Sequence, residues 1–464
     1  MKFDLIVFAG VTQRYDTVPQ DGRHSARSWW AFWFTVSVAL PLVVGRTTAA
    51  ELTAGVARID LTPPTEFKAA LGGYGARMSR PATGVHDRVF AKALVLRSGE
   101  RRFALVTADV LGFSPAVKPA VLKKLSDEGW KSDQLMLLAS HSHTSIDMSA
   151  INPRNIYHIL QVGIYQPKLF DRTVARLAEV IRRANGHPQP VAVGTSSRRL
   201  IGWNRNRRRD SKLTDNELTV TRIDTRSGKP LAVLVNFTAH PTFMSSKEMM
   251  FSAGWPGQMQ RTVEAVVGQG VTAMYYNGAE GDQSPVARPD SGPSHWERAE
   301  RYGRELGLIV ARMRSKLPTR GQARLDYHRQ MIALPKPMPH PDFMKTGGAE
   351  YGLKGMMKRF LKQMAPEQTA TVALRLGELV IVGIPGEMVA ELGLHVKHEV
   401  AGHTGARHVV IGGLADGWIS YILTRRQYER GGYESSVSFY GPTLGKRIVT
   451  GSIENASRLR TSRP

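Results

Sequence analysis

The chain carries two histidines one residue apart, in the stretch Leu135-Met136-Leu137-Leu138-Ala139-Ser140-His141-Ser142-His143-Thr144-Ser145. An apolar run that ends in small polar residues predicts a buried strand followed by a loop, and ligands of open α/β sheets sit at such carboxyl ends. If the backbone stays extended, residues i and i+2 point the same way. One imidazole then suits a metal ion and the other a proton-transfer group behind it. If extension is lost, the pair are loop histidines with ordinary hydrogen bonds. The motif is too short to decide between these by itself.

Five further stretches place useful residue types at expected strand ends. Asn236-Phe237-Thr238-Ala239-His240-Pro241-Thr242 adds a third histidine, followed by a proline that fixes the backbone. Asn277-Gly278-Ala279-Glu280-Gly281-Asp282-Gln283-Ser284-Pro285 is a Gly-rich turn presenting Asp282 and Ser284, and Pro385-Gly386-Glu387 ends in a carboxylate. Trp203-Asn204-Arg205-Asn206 offers a guanidinium, and Tyr421 and Tyr433 offer two phenols. Singly each is weak, because a Gly-rich turn with Asp is usually only a turn. Jointly they supply imidazole, carboxylate and phenol enough for a zinc site with an open position. No cysteine is present, which excludes disulfides, thiolate metal sites and cysteine nucleophiles.

The elements that must hold these residues alternate in type. Phe103–Ala108 and Gln134–Ala139 read as strands, with a helix over Ala116–Glu128 between them. Lys168–Asn185 carries a helical stripe, Leu169, Val174, Leu177, Val180 and Ile181, that stops at Asn185-Gly186. Leu218–Ile223 and Leu231–Phe237 read as a hairpin. Thr272–Tyr276 predicts a strand and Glu297–Leu317 a long helix closed by Pro318. Strands follow around Ala323–Leu334, Ala370–Leu376, Leu379–Ile384 and Val409–Ile411. Mixed hairpins and strand–helix alternation predict an α/β domain with several sheet layers flanked by helices, not a simple doubly wound sheet. Residues 335–368, proline-rich and then rich in Met and Lys, read either as a surface insertion or as a flap over the site.

Composition bounds the rest. At 464 residues, 42% hydrophobic and 22% charged, the chain can bury a substantial core. Arg23 and Arg27, the apolar run Trp29–Val44 and the small residues before Glu51 have the parts of a secretory signal. The expectation is export, secreted or periplasmic, with anchoring in the membrane if this leader is not cleaved. Residues 1–50 hold five Lys/Arg and three Asp/Glu, so +22 of the formal +24 belongs to the remainder. Such a charge suits anionic surfaces, a membrane among them. No nucleic-acid motif accompanies it, and a solvated basic surface is the reading taken.

The motifs now carry a resemblance. His141-Ser142-His143-Thr144, Asn204-Arg205-Asn206, Ala239-His240-Pro241-Thr242, Gly281-Asp282-Gln283-Ser284-Pro285, Pro385-Gly386-Glu387 and Tyr421…Thr424…Tyr428…Tyr433-Glu434 recur in one order. From about Glu51 to Pro442 the chain resembles the catalytic domain of the neutral/alkaline non-lysosomal ceramidases. The resemblance implies a zinc-dependent amide hydrolase acting on ceramide or a related N-acyl lipid. It implies His141, His240, Glu387 and Tyr421 as zinc ligands and His143 as the proton-handling histidine. Arg205 and Tyr433 would steady the substrate carbonyl, and Ser284 matches a serine needed for activity. Two nucleophiles remain open, metal-activated water and Ser284. Water is favoured, because no Gly-x-Ser-x-Gly elbow is present.

The chain also departs from that pattern. Ser145-Ile146-Asp147-Met148 stands in place of a glycine-rich loop, and Gly254 stands where an acid is expected. The chain ends soon after Pro442, so the immunoglobulin-like domain that follows in typical ceramidases is expected to be missing. The expected organisation is a leader over 1–50, a hydrolase domain over 51–445 with 335–368 as insertion or flap, and a basic tail over 446–464. Two other readings stay open: a zinc hydrolase of another amide or ester, and a non-catalytic relative that binds anionic surfaces.

Overall fold

Eight strands make one sheet in the spatial order Thr272–Tyr276, Pro230–Asn236, Glu217–Thr225, Gln189–Arg199, Leu52–Asp60, Phe90–Ser98, Arg101–Ala108, Leu135–Ala139. This computed structural model describes residues 51–459 except Asp210, Lys354 and Gly355. The leader read from residues 1–50 lies outside the described residues, as do 460–464. Inner neighbours in the sheet run antiparallel, while the pair at each edge is parallel. Parallel edge strands are covered on both faces, which is why Leu135–Ala139 is apolar throughout and Thr272–Tyr276 is apolar after Thr272, both wholly buried.

Strand twist accumulates across a sheet of this width, and its two edges meet. Asn277, just past one edge strand, donates from Nδ2 to the carbonyl of Ser140, just past the other, at 3.4 Å. Met136 and Leu138 share a core cluster with Met274 and Tyr276. That closure sets the carboxyl ends of strands far apart in sequence beside one another.

A second sheet, ordered Leu325–Ala333, Gln368–Leu376, Leu379–Gly383, His408–Gly412, sends Leu374, Leu376, Leu379 and Ile381 into the same core. The helix Pro167–Asn185 packs its apolar stripe on the first sheet. Gly254–Val267 and His295–Lys316 pack on one another around Trp255 and Tyr302. Ala390–Thr404 and Leu444–Ser457 share a core with the second sheet. The mixed α/β architecture matches the expectation. So do the hairpin Glu217–Thr225/Pro230–Asn236 and the long helix, whose start is set by Ser294 and Glu297 in a reciprocal capping box.

One expectation about the chain's organisation changes. Residues from 446 onward are no free tail through Ser457: the helix Leu444–Ser457 buries Ile448, Val449, Asn455 and Ala456. Its Lys446 and Arg447 give the stretch a basic look while its other face fills the core. Residues 335–368 form the short helices Gly347–Tyr351 and Met357–Met364, and bury Phe343, Leu353, Met357, Phe360 and Leu361. Among the described residues no helix is long and apolar enough to cross a membrane.

Candidate metal centre and its pocket

His141 is reached because the edge strand keeps pairing past its end: Ser140 N donates to Ala108 O at 2.9 Å and His141 N to Val110 O at 3.0 Å. The backbone of His141 then turns into the left-handed region, φ 66°. Such a conformation costs a β-substituted residue about 1 kcal/mol or more, and strain of this kind gathers at functional sites. The turn brings His141 Nδ1 to 2.6 Å from Leu111 O. His240 is fixed the same way: its amide donates to Gln283 O at 3.0 Å, and its Nδ1 lies 3.1 Å from that carbonyl. Glu387 and Tyr421 sit directly opposite one another in a two-stranded parallel ribbon, Glu387–Met388 with Tyr421–Ile422. Trp418 donates from Nε1 to Glu387 Oε1 at 2.8 Å.

The remaining atoms converge. Glu387 Oε2 lies 3.0 Å from His240 Nε2 and 3.4 Å from His141 Nε2. A ring nitrogen facing a backbone carbonyl must carry the proton, so in the neutral ring each Nε2 is a lone-pair acceptor. Burial holds His240 down to about 4, with the charge of Arg207 adding to it, so that ring is neutral at pH 7. Two lone pairs and a carboxylate aimed at one point are mutually repulsive unless a cation sits between them. The donor set therefore fits a metal ion. Two buried groupings, His141/His143/His240 and His141/Glu280/Glu387, have ligand atoms close enough to hold one.

His143 stands beside this centre, its Nε2 3.3 Å from His141 Nε2 and its buried Nδ1 without a partner. Burial and the two neighbouring imidazoles push it well below 6.5. Gly73, at φ 93°, lies against this ring, where a β-carbon would come within 2.4 Å of Nδ1. Tyr421 Oη accepts from a guanidinium at 3.0 Å, and the Tyr421 and Tyr433 rings meet edge to face at 5.9 Å. Tyr433 Oη is 3.0 Å from Tyr351 Oη.

That guanidinium belongs to Arg207, not to Arg205. Arg205 lies on Asn204–Asn206, opposite Ser284 in the short antiparallel ribbon with Gln283–Pro285, and its side chain is exposed. Two residues on, the chain leaves the ribbon and Arg207 turns inward. It donates to Glu434 Oε1 at 2.8 Å, to Gly281 O at 2.9 Å and to Tyr421. Glu434 also accepts from Arg208 at 3.1 Å, so one carboxylate anchors both arginines. Ser284 is half-buried, and no described hydrogen bond joins it to the histidines. The structure thus brings together His141, His143, His240, Glu387, Tyr421 and Tyr433, and leaves Arg205 and Ser284 outside. Sequence reasoning missed Arg207, Trp418, Glu280 and Asn277. Asn277 donates to Ala239 O at 3.0 Å and accepts from Ala239 N, tying the two histidine loops together. Its place at the end of an apolar strand was the available signal.

An apolar pocket opens over His141, His143, Glu387, Tyr421 and Tyr433. Its wall includes Leu160, Phe343, Leu353, Phe360, Leu361, Met364 and Phe439, so residues 335–368 do line the site. One acid interrupts that wall. Asp147, from the altered loop, is 7% exposed, and burial pushes its carboxyl up to about 7. Gly254 begins its helix at φ 62°, against Ser142 and Met244.

Residues 52–291 and 353–448 match the family described as neutral/alkaline non-lysosomal ceramidase, N-terminal. The chain is 23% identical to the neutral ceramidase of Pseudomonas aeruginosa over 470 residues, spanning 84% of this chain and 69% of that protein. It is 22% identical to the neutral ceramidase of Mycobacterium tuberculosis over 484 residues, spanning 84% of this chain and 75% of that protein. The crystal structure of the Pseudomonas aeruginosa enzyme superposes with a TM-score of 0.73 at 21% identity, covering 89% of this chain and 76% of that one. A ceramidase solved in complex with C2 gives 0.72 over the same shares.

Proposed function

Because this chain belongs to the neutral/alkaline non-lysosomal ceramidase family, we propose that it is a zinc-dependent amide hydrolase cleaving the N-acyl bond of ceramide or a related N-acyl lipid. The observation that carries the reading is the convergence of His141 Nε2, His240 Nε2 and Glu387 Oε2 beneath an apolar pocket. His141, His240, Glu387 and Tyr421 would hold the ion. Once bound, zinc brings the pKa of water to about 7 and polarises the amide carbonyl.

The chain's own residues do the rest. His143, neutral at pH 7, takes the proton of the attacking water at Nε2 and passes it to the leaving nitrogen. Burial and the charge of Glu387 push the Tyr421 phenol well above its usual range, and Arg207, which holds its oxygen from outside, opposes that rise. Tyr433, whose phenol stays protonated because burial raises its pKa, offers a hydrogen bond to the developing oxyanion. The apolar wall takes the acyl chain and excludes water. Ser284, off the centre, is assigned no covalent role. Rapid mixing should therefore show no acyl-enzyme burst. A trapped adduct on Ser284 would reverse that assignment.

One observation bears on the amine half of the substrate. Asp147 in the wall suits a substrate whose amine half carries a hydroxyl or ammonium group. Export by the leader completes the reading. Metal analysis of purified protein, together with turnover of a panel of N-acyl amines, tests it. A protein free of zinc, or one that hydrolyses none of the panel after zinc loading, would sink it.

A further inference from the structure

Two acids two residues apart in the turn after Thr272–Tyr276 have opposite surroundings. Asp282 is fully satisfied: Oδ1 accepts from Ala390 N at 2.9 Å and Gln283 Nε2 at 2.8 Å, and Oδ2 accepts from Asn206 Nδ2 at 2.7 Å. Glu280 is 0% exposed, and neither of its carboxylate oxygens has a hydrogen-bond partner. One of them lies within 4.8 Å of a ring nitrogen of His141 and of an oxygen of Glu387. The fold makes room for this side chain: Gly413 passes so close that a β-carbon there would sit 2.5 Å from Glu280 Oε2.

A buried carboxylate with no donor carries an uncompensated desolvation cost. The acid beside it, Glu387, makes matters worse, and the nearby guanidinium of Arg207 is committed to Glu434, Gly281 and Tyr421. A divalent cation in the shared space relieves both carboxylates at once. We propose that Glu280 is a donor to the bound ion, so that the centre carries two carboxylates in addition to His141, His240 and Tyr421. This rests on the metal reading above. It adds that the ion is held by more than four donors and by a harder, oxygen-richer set. Such a set narrows the preference for zinc and admits manganese and cobalt ions more readily.

The test uses cobalt(II) as a spectroscopic probe in the full chain, with zinc affinity measured by chelator competition. The parent protein should show the weak visible absorption of a five- or six-coordinate ion. Glu280→Gln, nearly isosteric, should shift it towards stronger four-coordinate absorption and weaken zinc binding at least about tenfold. Thermal unfolding of the metal-free variant controls for the fold. Intense four-coordinate absorption in the parent overturns the proposal without any variant. So does Glu280→Gln with unchanged spectrum and affinity; if His240→Ala then abolishes binding, the metal centre stands and only Glu280 is excluded. A parent that binds no ion removes both readings together.

Discussion

The floor of the site and its wall are built on different principles. On the floor four of the side chains are fixed by partners outside the centre: Leu111 O and Gln283 O hold His141 and His240, Trp418 holds Glu387, and Glu434 holds Arg207. Directional bonds from separate elements leave those side chains one geometry. The wall is made of Phe343, Leu353, Phe360, Leu361 and Met364, on short helices and the turns between them, and apolar packing specifies volume without direction. Reaction type is thereby written into the floor, and substrate shape into the wall. Substitutions on the two should fail in different ways.

The largest effect belongs to the floor. His240→Ala should abolish stoichiometric metal binding and, with it, amide hydrolysis, while circular dichroism stays that of the parent. Retention of zinc at parental affinity would show that the convergence at Glu387 is not a metal centre.

The second belongs to the acid in the wall, and it acts on stability. Asp147 has a folded pKa of about 7 against 3.8 for the free group. Between those values the native state binds more protons than the unfolded chain, so stability falls as pH rises through that window. The shift of roughly three units sets a ceiling of about 4 kcal/mol. Asp147→Asn keeps an acceptor for Ser149 N, now 2.9 Å from Oδ1, without the charge. Its stability relative to the parent should therefore be greater at pH 8 than at pH 5 in urea unfolding. An equal difference at both pH values would mean that Asp147 titrates normally.

Third is the floor's support. Trp418→Phe removes the hydrogen bond to Glu387 Oε1 while keeping an aromatic ring. Metal affinity should fall about 10–100-fold, the usual cost of losing an orienting partner. Unchanged affinity in chelator competition would show that Glu387 is oriented by something else.

How much of this was legible beforehand follows from what each kind of order needs. Apolar runs and helical stripes announce themselves locally, as Thr272–Tyr276 and Pro167–Asn185 do. Their joining does not. That both edges of an eight-stranded sheet end side by side depends on twist summed over all eight strands, which no window of sequence holds. Leu52–Asp60 and Phe90–Ser98, central to that sheet, went unnoticed, as did the helices Gly254–Val267, Ala390–Thr404 and Leu444–Ser457. The choice of Arg205 over Arg207 failed for a related reason. In a run of arginines only the point where the ribbon ends decides which guanidinium turns inward. Glu280 was passed over beside Asp282, because sequence cannot say which of two acids will find donors.

The smallest effect should come from the wall, where it bears on substrate choice. Met364 closes part of the pocket from the helix Met357–Met364 and is only partly buried, so its truncation leaves the core largely intact. A flexible thioether adapts to an acyl chain along its length. Each methylene that an acyl chain buries contributes about 0.8 kcal/mol. Met364→Ala should remove roughly one or two such increments, a loss of about tenfold in kcat/KM for long acyl chains and little for an acetyl amide. The change should fall on KM, with kcat preserved, because the floor is untouched. The measurement is kcat/KM across N-acyl amines of increasing chain length, in detergent dispersion. The parent should climb with each added methylene, and the variant should level off earlier. Parallel climbs would place the acyl chain elsewhere in the pocket, and the wall built from residues 335–368 would then be a surface insertion that happens to border the site.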